Sequence, residues 1–124
     1  MERELGRGGM GIVYLAVQET LGRKVAVKTL PMAGEPDSAA AERFFQEARV
    51  VAKLQHENIV QVFGMGQEAG WLYYAMEYVE GESLRDRLAR GELPPRDAAG
   101  IARDVARALG HAHAAGVVHR DIKP

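Results

Sequence analysis

The sequence contains no cysteine, which excludes a disulfide framework, a thiolate metal site and a cysteine nucleophile. That absence fits a reducing cytosol. Excess charge of either sign is also missing: 16 basic residues face 17 acidic ones, for a formal net charge of -1. Wholesale attraction to nucleic acid or anionic lipid is therefore not expected. No run is long enough and free enough of charge to cross a bilayer. The most apolar stretch, residues 101–118, is interrupted by Arg103, Asp104 and Arg107. A signal-peptide pattern is lacking as well, because Glu2, Arg3 and Glu4 precede any apolar run. There is no internal repeat and no low-complexity tract. Residues 32–41, rich in Ala, Pro, Gly and Ser, read as a loop running into a helix.

What is present is a chain of 124 residues, enough for one small domain and too short for two. It is 47% hydrophobic and 27% charged, the balance of a folded soluble domain. The first third is strand-like. Leu5 leads into Gly6, Gly8, Gly9 and Gly11, and residues 12–17 form a β-branched and aromatic run. Leu21, Gly22 and Arg23 make a turn before a second run over residues 24–30. Val25 and Val27 fall on one face of that run, and Ala26, Lys28 and Leu30 on the other. Two such runs around a glycine-containing turn predict an antiparallel hairpin. A helix is predicted over residues 39–54, with Asp37 or Ser38 as its N-cap. Phe44, Glu47, Val51 and Leu54 share its apolar face.

Residues 59–65 and 71–79 read as two more strands, joined by a turn over residues 67–70. Gly81 breaks the pattern, and Ser83 with Asp86 has the form of a capping box opening a short helix to about Ala89. Pro94 and Pro95 mark a longer helix to about Ala115. Ile101, Val105, Leu109 and Ala112 give it an apolar stripe, and Gly116 is placed to end it.

Gly6, Gly8 and Gly11 have the spacing G-x-G-x-x-G. In dinucleotide-binding folds that spacing leads from a strand into a helix. Here strand material follows, which suits a glycine loop between two strands whose backbone N–H groups approach phosphates. A mobile glycine-rich turn is an equal reading of the loop alone. Ala26 and Lys28 face the same way, one leaving room for a flat base and the other offering an ammonium to phosphate oxygens. Glu47 is a carboxylate on an apolar stripe, and a buried charge needs a partner. Pairing Glu47 with Lys28 satisfies both. His119, Arg120, Asp121 and Lys123 close the chain.

These four motifs, in this order, make the whole stretch from Leu5 to Pro124 resemble the protein kinase family of the serine/threonine type. The likeness is greatest to bacterial eukaryotic-like (Hanks-type) kinases. The resemblance implies an α+β kinase-like fold. Residues 1–79 would form the small ATP-binding lobe through the hinge, with about five antiparallel strands and the helix the family calls αC. Residues 80–124 would begin the helical lobe up to the catalytic loop. It also implies an ATP- and magnesium-dependent enzyme that transfers the γ-phosphoryl group to a serine or threonine of a protein substrate. The location would be cytoplasmic, or membrane-anchored through a segment outside this chain.

Residue by residue, the resemblance assigns Gly6, Gly8 and Gly11 to phosphate cover. Lys28 would contact the α- and β-phosphates and pair with Glu47. Leu5, Val13 and Ala26 would hold adenine by apolar contact. Met76 has the gatekeeper position, and Glu77 and Val79 would offer hinge backbone groups to the base. Ser83 is a ribose contact. Asp121 would accept or orient the proton of the substrate hydroxyl, Lys123 would steady the transferred phosphate, and Arg120 would bind a phosphorylated activation loop. His56 and His119 read as structural, and His111 and His113 as packing or surface residues. No metal ligands are assigned, because the magnesium-binding asparagine and the D-F-G aspartate of the family would lie past Pro124. The expectation is thus a truncated kinase that does not transfer phosphate at a useful rate on its own and whose long helix leaves apolar surface exposed. A catalytically inactive module that binds nucleotide or a protein is the alternative. A dinucleotide-binding domain is disfavoured by the strand after Gly11.

Overall fold

The computed structural model describes residues 1–8, 11–32 and 39–124. The chain divides into two units, one of Met1–Lys53 with Val60–Tyr78 and the other of Leu54–Ile59 with Val79–Pro124.

In the first unit, period-two alternation between tight turns lays down a five-stranded antiparallel sheet in the order β1-β2-β3-β5-β4. β1 is Arg3–Gly8, β2 Gly11–Gln18, β3 Arg23–Pro31, β4 Val62–Glu68 and β5 Trp71–Glu77, and helix α1, Ala39–Ala52, comes between β3 and β4. The β2–β3 turn is closed by the N–H groups of Leu21 and Gly22, both donating to the Gln18 carbonyl at 3.2 and 2.8 Å. Arg23 already belongs to β3, where it pairs with Gln18.

The β4–β5 hairpin turns on Ala69 (φ 48°) and Gly70 (φ 81°) alone. Both central residues have positive φ, the backbone that matches the twist of a two-residue hairpin. Gln67 and Glu68, expected in the turn, instead pair with Leu72 and Trp71. β4 begins at Val62 and not at residue 59, because Ile59 is held in a local turn, its N–H donating to the His56 carbonyl at 3.1 Å. β5 ends at Glu77, two residues before the expected limit.

The registers align side chains in rows across the sheet. Gly6, Val13, Lys28, Tyr74 and Met65 make one row, and Leu15, Ala26, Met76 and Val62 the next on the same face. Helix α1 packs its buried residues Ala41, Phe44 and Ala48 on Leu72 and Tyr74. Leu30, Met32, Phe45, Met65 and Met76 surround that core. Phe44 is fully buried, so its truncation to alanine would cost about 3–5 kcal/mol.

The sequence places Glu47 on the buried stripe, and the structure corrects this. The small residues Ala41 and Ala48 let the helix approach along the 41-44-48 line, and Glu47 lies at the edge with its side chain 42% exposed. The expected caps Asp37 and Ser38 lie outside the described residues. Leu54 is buried but belongs to the other unit, past the end of α1.

The second unit holds α2, Leu84–Ala89, and α3, Pro95–Ala114. Ser83 caps α2, its Oγ accepting the Asp86 N–H at 3.1 Å. α3 starts with proline at its first position and ends in a Schellman motif. There the Val117 N–H reaches the Ala112 carbonyl at 2.9 Å and the Gly116 N–H reaches the His113 carbonyl at 3.0 Å, with Gly116 at φ 81°. The buried residues of α3 are Ala108 and Ala112, while Val105, expected on the stripe, is exposed. Residues 54–59 lie against α3. Asn58 Nδ2 donates to the Asp104 carbonyl at 3.5 Å, and the His56 and His111 rings are 5.3 Å apart. Both histidines thus serve packing.

Candidate functional site

The glycines of the first hairpin are not equivalent. β1 and β2 pair up to Gly8 and Gly11, while Gly9 and Met10 lie outside the described residues. Gly11 has φ +115°, and a Cβ there would lie 1.9 Å from the Thr29 carbonyl oxygen on β3. Its lack of a side chain is demanded by the fold. Gly6 and Gly8 have ordinary backbone, and a Cβ on either would meet nothing within 4 Å. Among the described residues nothing forbids a side chain at those two positions, and the space beside them is open to a close-approaching ligand.

Lys28 stands on β3 between Val13 and Tyr74, its cross-strand partners. Its side chain is mostly covered, at 19% exposure, and its Nζ is 2.8 Å from Glu47 Oε1 on α1. The hydroxyl of Tyr74 donates to the same oxygen at 2.7 Å. Burial pushes the Glu47 carboxyl up, but the hydrogen bonds from Lys28 and Tyr74 outweigh it and the net movement is below the ordinary value. The Tyr74 hydroxyl is pushed well above its ordinary value, first by burial and then by its bond to the Glu47 carboxylate. Tyr74 therefore stays protonated, and stays a donor, across the physiological range.

On the same face, Val13 and the row of Leu15, Ala26 and Met76 place apolar side chains beside Lys28. Leu15 and Ala26 are buried. Leu5 is half-buried at the β1 irregularity, where the register shifts between Glu4 and Gly6. Glu77 is fixed at the end of β5 from two sides. Its N–H donates to the Gln61 carbonyl at 2.8 Å, and its Oε2 accepts the Gln61 N–H at 3.3 Å.

Val79, Ser83, Asp121 and Lys123 belong to the second unit. Val79 is exposed, and the Ser83 hydroxyl is engaged as the α2 cap. In the last segment His119 braces the backbone, its Nδ1 accepting the Asp121 N–H at 3.1 Å. Arg120, a non-glycine residue, takes φ 70° in the left-handed region. Lys123 Nζ lies 3.0 Å from Asp121 Oδ2, both side chains exposed. The structure thus brings together Gly6, Gly8, Gly11, Val13, Ala26, Lys28, Glu47, Met76 and Glu77 on one sheet and its helix, and Asp121 with Lys123 on one loop.

Sequence reasoning missed Tyr74. Alternation along β5 puts Tyr74 in phase with Leu72 and Met76, so that strand sends a hydroxyl toward α1 at this level. A separate concavity of about 470 Å³ opens on the opposite sheet face, lined by Tyr14, Val27, Thr29, Trp71, Tyr73 and Ala75 among others. It contains none of the residues assigned to the nucleotide site or the catalytic loop.

The protein kinase domain family matches residues 1–124. The chain is 43% identical over 122 residues to serine/threonine-protein kinase pkn2 of Myxococcus xanthus, covering 98% of this chain and 15% of that protein. It is 42% identical over 123 residues to serine/threonine-protein kinase PrkC of Bacillus subtilis, covering 98% and 19%. With serine/threonine-protein kinase PknJ of Mycobacterium tuberculosis the identity is 44% over 124 residues, covering 100% and 21%. Among solved structures, the kinase domain of Mycobacterium tuberculosis PknI superposes with a TM-score of 0.77 at 36% identity, covering 98% of this chain and 51% of that one. The chain spans about a fifth of the length of these curated relatives.

Proposed function

The chain belongs to the protein kinase domain family, and from that premise we propose that it is the nucleotide-binding part, with the catalytic loop, of an ATP-dependent serine/threonine protein kinase. The observation that carries this reading is the 2.8 Å pair of Lys28 with Glu47 on the face of the sheet that begins at the glycine hairpin. A covered ammonium held by a carboxylate, next to backbone that leaves open space at Gly6 and Gly8, suits an anionic ligand with a flat apolar end.

In this reading Gly6, Gly8 and Gly11 bring backbone N–H groups to the phosphates, and Lys28 meets the α- and β-phosphate oxygens. Leu5, Val13 and Ala26 flank the adenine, with Met76 behind it. The Glu77 carbonyl and the backbone of Val79 bond the base edge, and Ser83 faces the ribose. ATP, when bound, supplies the γ-phosphoryl group. Asp121 accepts or orients the proton of the incoming serine or threonine hydroxyl, Lys123 offsets charge on the phosphoryl group, and Arg120 receives a phosphorylated segment. Positioning and charge stabilisation carry most of the rate in such transfers. Among the described residues no group of three His, Cys, Asp or Glu side chains could hold a metal ion. Magnesium bound with a nucleotide is held largely by phosphate oxygens and one or two carboxylates, and no step here is routed through it.

The test is nucleotide binding by the purified chain and its Lys28→Met variant. ATP should bind and NAD should not. The variant should lose about ten-fold or more in ATP affinity and keep its affinity for adenosine, because a charged hydrogen bond contributes about 1.5–3 kcal/mol. Equal loss for ATP and adenosine, or preference for NAD, would overturn the reading.

A further inference from the structure

We propose that Tyr74 is a positioning residue for the phosphate-binding lysine: its hydroxyl fixes the Glu47 carboxylate, and with it helix α1, in the place where Lys28 can be held. The proposal rests on the kinase reading for its consequence, but the geometry stands without it.

Glu47 Oε1 receives two donors, Lys28 Nζ at 2.8 Å and Tyr74 OH at 2.7 Å. The donors come from directly opposed positions on neighbouring strands, β3 and β5. They differ in stiffness. Lys28 reaches its acceptor through a four-carbon stem with high rotamer entropy. The Tyr74 ring turns about only two bonds and is 5% exposed, 5.1 Å from the ring of Phe44.

Phe44 and Glu47 are three residues apart on α1, so Tyr74 grips one stretch of the helix twice, at a ring and at a carboxylate. Glu47 itself is half-exposed. A half-exposed ion pair with a flexible lysine contributes little to holding a carboxylate in one place. The donor on the immobile ring must therefore do most of it. The hydroxyl remains a donor because burial and the carboxylate together oppose its ionisation.

The experiment compares the full chain with its Tyr74→Phe variant, which removes one oxygen and keeps the ring. The first readout is the acetylation rate of Lys28 by acetic anhydride, relative to Lys24 and Lys53 in the same digest. A nitrogen tied to a fixed carboxylate reacts slowly, and Tyr74→Phe should raise the Lys28 rate about three-fold or more while leaving the reference lysines unchanged, as loss of a charged hydrogen bond allows. In a Glu47→Gln background, which should itself raise the rate, Tyr74→Phe should add nothing further.

An unchanged Lys28 rate in Tyr74→Phe would overturn the proposal. So would an effect that persists undiminished in the Glu47→Gln background, since Tyr74 would then not act through the carboxylate. Unfolding of Tyr74→Phe would show as loss of its circular-dichroism signal, since Lys24 and Lys53 are exposed already. Glu47→Gln, which leaves Tyr74 in place, must then still raise the Lys28 rate with Lys24 and Lys53 unchanged, and its failure to do so sinks the idea. The second readout is binding: Tyr74→Phe should weaken ATP several-fold and leave adenosine unchanged. Absence of any ATP binding by the wild-type chain would remove the kinase reading and leave the lysine chemistry to decide on Tyr74.

Discussion

A side chain at Gly11 would collide with the carbonyl of Thr29: a Cβ at that position would fall 1.9 Å from the oxygen, at a φ of +115°. The contact ties the glycine hairpin to β3 through backbone alone. Gly11→Ala must distort the β2–β3 ladder, at a cost of about 2–4 kcal/mol. Gly8→Ala meets open space and should change stability by less than about 1 kcal/mol. Chemical denaturation of the two variants checks the contrast. A Gly11→Ala variant as stable as wild type would show that the hairpin does not approach β3 this closely.

The pH dependence has a definite sign. Glu47 is held below its ordinary value, so its contribution is complete above the ordinary glutamate range and is lost as pH falls through the lowered folded value. Tyr74 is raised, so its contribution is complete below the ordinary tyrosine range and is lost only as pH climbs through the raised folded value. The difference in Tm between wild type and Glu47→Gln should stay constant from about pH 6 to 9 and shrink only in acid. The gap itself should be a few degrees at most, because the carboxylate is 42% exposed and pairs of such exposure contribute about 0–1 kcal/mol. A gap that closes near neutrality would place the carboxylate in a different environment.

The end of α3 offers a third check. Gly116 adopts φ 81° and carries one of the two Schellman hydrogen bonds. Gly116→Ala should cost about 1–2 kcal/mol, since an L side chain strains that backbone. Amide exchange should reveal it as faster exchange at position 116 and at Val117, with the middle of α3 little changed.

Much of this fold is legible in the sequence wherever the pattern is periodic and the punctuation strong. The β2–β3 hairpin, the Ser83 cap and the Gly116 stop follow from alternation, a hydroxyl at the right spacing and a glycine. The rotation of the two long helices is legible only in part, through Phe44 and Ala112, which are buried as expected. In both, the buried line runs through alanines, Ala41 and Ala48 in α1 and Ala108 and Ala112 in α3. Reading for large apolar side chains picks Val51 and Val105 instead. Alanine buries little area of its own but lets a helix come close, and closeness decides which face is covered.

The pairing of Lys28 with Glu47 is legible because two charges inside apolar runs each need a partner. The share that Tyr74 takes in it is not. A tyrosine in a strand reads as a packing residue, and only the register that sets it opposite Lys28 gives its hydroxyl a second meaning.

The polypeptide passes between its two units three times, at Lys53–Leu54, at Ile59–Val60 and at Tyr78–Val79. Six residues of the helical unit are thus spliced into the sequence of the sheet unit. A gene cut at residue 78 would not part the units cleanly: it would carry away α3 and strand His56 and Asn58 without the His111 ring and the Asp104 carbonyl. Swapping either unit between relatives accordingly means exchanging two separate stretches of sequence together, and a chimera joined at one crossover point inherits a mismatched seam.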